Sequence, residues 1–455
     1  MSHSSEAAAE PTPAHRSATV RKVMLRIMPL VLAGYIMAYV DRVNLGFAQL
    51  GMGPELGITA AAYGTAAAIF FIAYFIFEVP SNLLMEKFGA RVWLARIMLT
   101  WGVITVCTGF ITSIPMLYLL RFLLGVAEAG FFPGVLLYLT YWFRGRERAT
   151  ALGWLILAQP VAFVIGGVAG GLILDNVEWF GLSPWRWVFI LTGLPTIVIG
   201  VLTLVFLPSS PATARWLTDS ERDWIVRGVA AERGETGPRK HGMRDQLAAL
   251  RDRRVLHLAA AHITFAIGAY GFNLFLPLVL KQINPEYSST NIGLVSVVPY
   301  LLGGVALMVS SRIARNAAHQ RMATLLPALV AGVGLSGVVL LRDDPSLALV
   351  AVSVTAIGLF AFLPPFWALV TGGLPSVYAA VGIAAINSVG NLGGFVGPYL
   401  VGQGAQGSQV TAGLVVPIIG FFVSAVLVLL WRSPRPTGPR SGDDVVSGAP
   451  PAGSA

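Results

Sequence analysis

The chain has 455 residues, of which 55% are hydrophobic and only 12% charged, about half the charged share of an ordinary soluble domain. Lys and Arg outnumber Asp and Glu by 31 to 22, for a net charge of +9, and Cys107 is the single cysteine, so no intrachain disulfide framework exists. A soluble enzyme, a disordered chain and a disulfide-stapled secreted domain are excluded, which leaves a chain that lives in a bilayer.

The N-terminal stretch MSHSSEAAAEPTPAHRS lacks the apolar core of a cleaved signal peptide and reads as disordered, within a cytoplasmic N-terminal tail, 1–26. Twelve apolar runs of about 20 residues follow, at roughly 27–50, 61–84, 92–112, 115–143, 150–174, 185–207, 255–280, 291–313, 322–341, 347–372, 376–403 and 411–431. Between the sixth and seventh lies a polar linker, 208–254, rich in Lys and Arg. In it, Thr218 or Asp219 is placed to cap a short amphipathic surface helix. A second disordered tail, 432–455, closes the chain. The expected fold is an all-α polytopic membrane protein with twelve transmembrane helices in two six-helix bundles, 27–207 and 255–431.

The basic excess belongs to this topology and not to nucleic acid. With a cytoplasmic N-terminus, only Arg186, Lys281 and Arg342 fall on the opposite side and only Arg42 and Arg121 within the membrane, as the positive-inside rule requires. An even number of spans then puts both termini in the cytoplasm.

Four charges lie inside spans: Asp41 and Arg42 in IMAYVDRVNLGFA, and Arg121 and Glu128 in RFLLGVAEAGFFPG. Each costs roughly 2.5–3.5 kcal/mol at the bilayer centre, so intramembrane charges read first as functional. Arg121 and Glu128 are two turns apart on one helix face, about 10 Å along the axis. Asp41 and Arg42 diverge by about 100° and cannot serve one spot. Two acids and two bases at similar depth point to an anionic cargo meeting a titratable coupling ion. Arginine suits a carboxylate, because its planar fork donates two hydrogen bonds and stays charged. The bland alternative is a buried ion pair, Asp41–Arg121 or Arg42–Glu128, that only ties spans one and four together, but such pairs stabilise poorly relative to apolar packing.

The loop NLLMEKFGARVW after span two resembles the major facilitator signature G-x-x-x-D-R/K-x-G-x-R/K-R/K. Glu86, Lys87, Gly89 and Arg91 match, while Asn82 and Val92 depart from it. With YVDRVN, FEVPSNLL, RFLLGVAEAGFFPG, PWRWVFILTGLP, PATARWLTDSER and INSVGNLGGFVGP, the chain resembles the anion:cation symporter family from Arg26 to about Trp431. That resemblance implies uptake of a small organic carboxylate (a sugar acid, tartrate, phthalate or another aromatic acid, nicotinate) across the cytoplasmic membrane. It also implies coupling to H+ rather than Na+, and no cofactor. By the same resemblance, Tyr39, Tyr74 and Gln159 correspond to cavity-lining positions. Each chain should hold its own pathway, so a monomer is the expected working unit.

Further candidates come from the residues themselves. Tyr270 and Asn273 precede Pro277, where the helix is expected to break, and Trp367 follows Pro364-Pro365, which should kink its helix. Asn387 and Asn391 share one face of span eleven. Glu78, beside Pro80 near the end of span two, reads as a gating residue. His262 has no second ligand at metal spacing. No phosphate-binding glycine loop or nucleophile elbow occurs, so no enzyme is expected. Efflux antiporters of this fold carry G-x-x-x-G-P-x-x-G-G in span five, whereas this chain has GWLILAQPVAFVIGG, which disfavours export. A receptor or channel on the same scaffold is the remaining alternative.

Overall fold

The computed structural model describes residues 13–236, 251–374, 379–405 and 409–431. The predicted C-terminal tail and the middle of the linker lie outside the described residues. The N-terminal half comprises α1 (Pro13–Leu56), α2 (Ala60–Phe88), α3 (Ala90–Thr108), α4 (Ile114–Glu128), α5 (Phe131–Trp142), α6 (Gly145–Asn176) and α7 (Pro184–Phe206). A linker helix, α8 (Asp219–Thr236), leads to α9 (Arg253–Ile283), α10 (Ser289–Ile313), α11 (Gln320–Leu340), α12 (Pro345–Gly373), α13 (Ala379–Gly404) and α14 (Val415–Leu430).

Eleven helical segments among the described residues are long and apolar enough to cross a membrane, with α4 and α5 forming one of them. The twelfth predicted span is α13, whose 26 residues extend about 39 Å, enough for a hydrocarbon core of roughly 30 Å. Apolar side chains such as Val103, Leu119, Val198, Leu301, Val333 and Ile419 are exposed on the outer surface, as a lipid-facing wall requires.

Within the N-terminal half α1 packs on α6 and α7, α2 on α4, and α3 on α7. Within the C-terminal half α9 packs on α13 and α14, α10 on α12, and α11 on α12 and α14. The halves meet along three helix pairs, α1–α9, α2–α13 and α6–α10. The last two are equivalent under exchange of the halves, the symmetry expected of a repeated six-helix unit.

Three expectations need correction. The stretch expected to be disordered is helical from Pro13 on, and the helix continues through the rest of the tail because α8 supplies a partner: Val20 and Val23 share a cleft with Trp224, Ile225 and Val229, and Lys22 pairs with Glu221 at 2.7 Å. Span four is not continuous. Ala129 and Gly130 interrupt it, Gly130 at φ 85°, because Pro133 has no N–H for the Ala129 carbonyl. The expected break at Pro277 does not occur; α9 runs through it, and α12 continues through Pro364-Pro365. In the linker, Thr218 and Glu221 form a reciprocal cap, each accepting from the other's backbone N–H (Glu221 Oε2 at 2.9 Å, Thr218 Oγ1 at 3.3 Å).

The α1 N-terminus, the α2–α3 turn and α8 share one face, here the termini face. On the opposite, far face the halves close tightly. Tyr63 Oη donates to the Leu274 carbonyl. Gly171 and Gly293 let α6 and α10 touch backbone to backbone, since a Cβ on either would strike a main-chain oxygen of the other helix.

Candidate functional site

Helix α1 sorts its polar residues onto two faces. Tyr35, Tyr39 and Arg42 follow an i, i+4, i+7 pattern and point toward the other half. Asp41 and Asn44, three apart, point back toward α3 and α7. The 100° divergence of Asp41 and Arg42 is thus realised as two separate environments.

Arg42 lies at the centre of the first. Its Nη2 donates to Glu128 Oε1 at 3.1 Å, and the guanidinium lies 4.7 Å from the Tyr39 ring, with Phe70 and Phe71 at about 6 Å. Tyr35 reaches Tyr39, hydroxyl to hydroxyl, at 3.4 Å. Across the interface Tyr270 packs its ring 4.6 Å from Phe71, and Tyr74 and Tyr270 lie within electrostatic reach of Arg42. Arg42 Nε is buried without an acceptor. Tyr39, Arg42, Tyr74, Glu128 and Tyr270 therefore form one cluster astride both halves. Glu128 ends α4 just before the break at Gly130, so the discontinuity in span four sits beside the ion pair.

Arg121 is 3% exposed and does not take Glu128. Its Nε donates to the Ala66 carbonyl at 3.3 Å and its guanidinium sits 4.8 Å from the Phe70 ring; among the described residues it joins no ion pair. Of the two pairings expected as alternatives, Arg42–Glu128 forms and Asp41–Arg121 does not.

Asp41, 3% exposed, occupies the second environment. Oδ1 accepts from Asn44 Nδ2 at 2.9 Å, and Oδ2 accepts from Trp101 Nε1 and from Thr105 Oγ1 at 3.3 Å. Asn44 Nδ2 also donates to Thr192 Oγ1 on α7 at 2.6 Å. Sequence reasoning missed Asn44, Trp101, Thr105 and Thr192. Only Asn44, one turn after Asp41, carried a readable signal.

The remaining candidates divide. Asn273 is internally satisfied, its Nδ2 donating to Ala269 O at 2.9 Å and its Oδ1 accepting from Tyr300 Oη at 3.1 Å. Asn391 on α13 lies near Glu78 on α2 across the seam between the halves. Trp367 packs edge-on to His262 at 5.3 Å, whose Nδ1 contacts Ile386 O at 3.1 Å. Gln159, Trp367 and Asn387 are half-buried, and among the described residues no hydrogen bond joins them to the Arg42 cluster. In the α2–α3 turn Gly89 has φ 84°, Arg91 Nε donates to Leu204 O at the end of α7, and Glu86 and Lys87 are exposed. No group of three or more His, Cys, Asp or Glu that could hold a metal occurs among the described residues.

The comparisons with known proteins agree with this architecture. A relative described as a putative tartrate transporter of Agrobacterium vitis is 37% identical over 419 residues, 92% of each chain. A quinolone resistance transporter of Acinetobacter baumannii is 41% identical over 385 residues, 84% of this chain and 87% of its own. Among solved structures, an inward-facing, occupied bacterial homologue of the human lysosomal transporter Spinster superposes with a TM-score of 0.72 at 13% identity, covering 92% of this chain and 97% of that one. The inward-open xylose transporter XylE of Escherichia coli gives 0.71 at 14%, covering 92% and 98%. These last two likenesses show the fold alone. The sequence profile of the Major Facilitator Superfamily matches residues 31–398, and the chain belongs to that superfamily of membrane transporters.

Proposed function

We propose that this transporter carries a small organic carboxylate together with a proton, by alternating access, into the cytoplasm. The observation that carries the reading is Arg121: a buried guanidinium in no ion pair among the described residues, while Glu128 is taken by Arg42. A buried cation without an anionic partner is costly, and a substrate carboxylate relieves that cost. Arg42 adds donor capacity through its unpartnered Nε, and Tyr39, Tyr74 and Tyr270 offer hydroxyls and ring faces.

Charge balance supplies the coupling. With Asp41 and Glu128 ionised, the two acids cancel Arg42 and Arg121. A proton on either carboxyl leaves one net positive charge in a low-dielectric interior, and an anionic substrate restores neutrality. Loading the proton thus favours loading the anion from the far face, and the occupied protein is then free to exchange its termini-face seal for the far-face seal, which opens the site to the termini face. In this reading Asp41 is the primary proton site, Glu128 is linked to it through the arginines, the termini face is cytoplasmic and the far face is periplasmic. Gln159, Trp367 and Asn387 would reach the substrate only when the halves close around it, and Glu78 with Asn391 would guard the termini-face opening. The working unit is one chain in the bacterial cytoplasmic membrane.

A second reading, export by exchange, draws on the relative named for quinolone resistance. Reconstitution separates the two. Wild-type protein in liposomes with an inward pH gradient should accumulate labelled tartrate, or another small carboxylate from a thermal-shift screen, against its gradient. Exchange without accumulation would favour export, and no carboxylate flux would reject both.

A further inference from the structure

The carboxyl of Asp41 is not open to the interface between the halves. It is held inside the N-terminal half by three donors from two helices: Asn44 on its own helix, and Trp101 and Thr105 one turn apart on α3. The charged groups that face it are Arg121 and Glu128 of α4, with Arg42 adjacent on α1. Thr192 of α7 is neutral and binds Asn44 rather than Asp41.

The three donors are not equivalent. An indole N–H can only donate, so a proton placed on Oδ2 would face the Trp101 hydrogen. The Thr105 hydroxyl can rotate and accept from a protonated carboxyl. Asn44 has the same capacity held in reserve: its Oδ1 is buried without a partner, so a turn of the amide would present an acceptor to a proton on Asp41 Oδ1. The same amide bonds Thr192, so that turn would be felt by α7.

We propose that Trp101, Thr105 and Asn44 are positioning residues that set the proton affinity of Asp41. Trp101 favours the carboxylate, Thr105 and Asn44 can re-aim to accept the proton, and Asn44 passes the change to α7 through Thr192. The proposal rests on the reading of Asp41 as a titrating carboxyl in the transport cycle, so its test measures titration and transport separately.

The titration is followed without substrate, by infrared difference spectroscopy of the reconstituted full-length protein across a pH series. The carbonyl band of protonated Asp41 is identified by its loss in Asp41→Asn. Trp101→Phe keeps a large ring and deletes the N–H. Its Asp41 band should titrate about one to two pH units higher than in wild type, the size of one hydrogen bond to a charged group. Thr105→Val, nearly isosteric, should move the midpoint in the same direction by less, and it decides the matter alone if Trp101→Phe does not fold. Wild-type midpoints in both variants would overturn the proposal, as would an Asp41→Asn variant that loses no titrating band. Proton-driven tartrate uptake is read on the same liposomes: a shifted band with no uptake would reject the symport reading and leave the cradle of donors standing.

Discussion

Replacing Asp175 by alanine should open the far face. Asp175 ends α6, and its carboxylate spans the seam between the halves: Oδ1 accepts from Ser289 N–H at 3.1 Å and Oδ2 from Thr290 N–H at 2.6 Å. These are donors of the first turn of α10, which its own cap, Ser288, leaves free by binding Asn291 N–H instead. Thr290 Oγ1 returns a bond to the Gly171 carbonyl at 3.3 Å. Losing a cap of this kind costs about 0.5–2 kcal/mol, and the carboxylate–dipole attraction adds about 0.3–1 kcal/mol. Asp175 is exposed, so screening keeps the sum at about 1–2 kcal/mol. The contact exists only while α6 and α10 touch, so the loss falls on the state closed at the far face and should raise the open fraction about 5- to 30-fold. Spin labels at Glu178 and Arg342, both exposed loop residues at that face, in a Cys107→Ser background, report the separation of the halves by pulsed electron resonance. A distance distribution identical to the Asp175 parent would refute the reasoning.

Other outcomes follow from the same geometry. Arg121→Lys keeps the charge but loses the planar fork, and should lower carboxylate uptake at least tenfold at normal expression; unaltered uptake would remove Arg121 from substrate recognition. Asp41→Asn and Glu128→Gln should abolish pH-driven accumulation, while substrate counterflow persists in the variant whose carboxyl only carries the proton; full accumulation in both would leave the coupling without a carrier. Gly130→Ala forces an L-residue to φ 85° and drives a methyl into Ser81, so thermal unfolding in detergent should show a loss of about 1–3 kcal/mol, and an unchanged melting temperature would contradict the strain. Burial alone would raise the Glu221 carboxyl, but the Lys22 bond and the Thr218 N–H outweigh it and hold it below its ordinary value of 4.5. A lowered acid stabilises docking of α8 above that ordinary value and loses the contribution as pH falls below it. Proteolysis of the linker should therefore rise in acid for wild type, and Glu221→Gln should flatten that pH dependence.

The four membrane-embedded charges were legible because charge inside an apolar run is rare and expensive. The divergence of Asp41 and Arg42 followed from helical periodicity alone. Their partners did not, since partner choice depends on how each helix is rotated about its axis. Trp101 reads as one more aromatic in an apolar span, and nothing in its spacing marks the indole as a donor to a residue 60 positions away. Asp175 carries no readable signal in the sequence, because its role depends on where the N-terminus of α10 docks. The prolines were poor guides to where a helix ends. Pro133 interrupts span four with the help of Gly130, whereas α9 continues through Pro277 without a break. The helical N-terminal tail was not legible because its partner, α8, lies about two hundred residues further on.

Carboxylate–proton symport is tested most directly by one paired flux experiment on purified wild-type protein in liposomes. Labelled tartrate, or another small carboxylate selected by thermal shift, is offered with and without an inward proton gradient, and internal pH is recorded alongside. Symport predicts accumulation above the external concentration only with the gradient, internal acidification that accompanies substrate entry, and loss of both in Asp41→Asn. Equal uptake with and without the gradient, or accumulation with no proton movement, would contradict it.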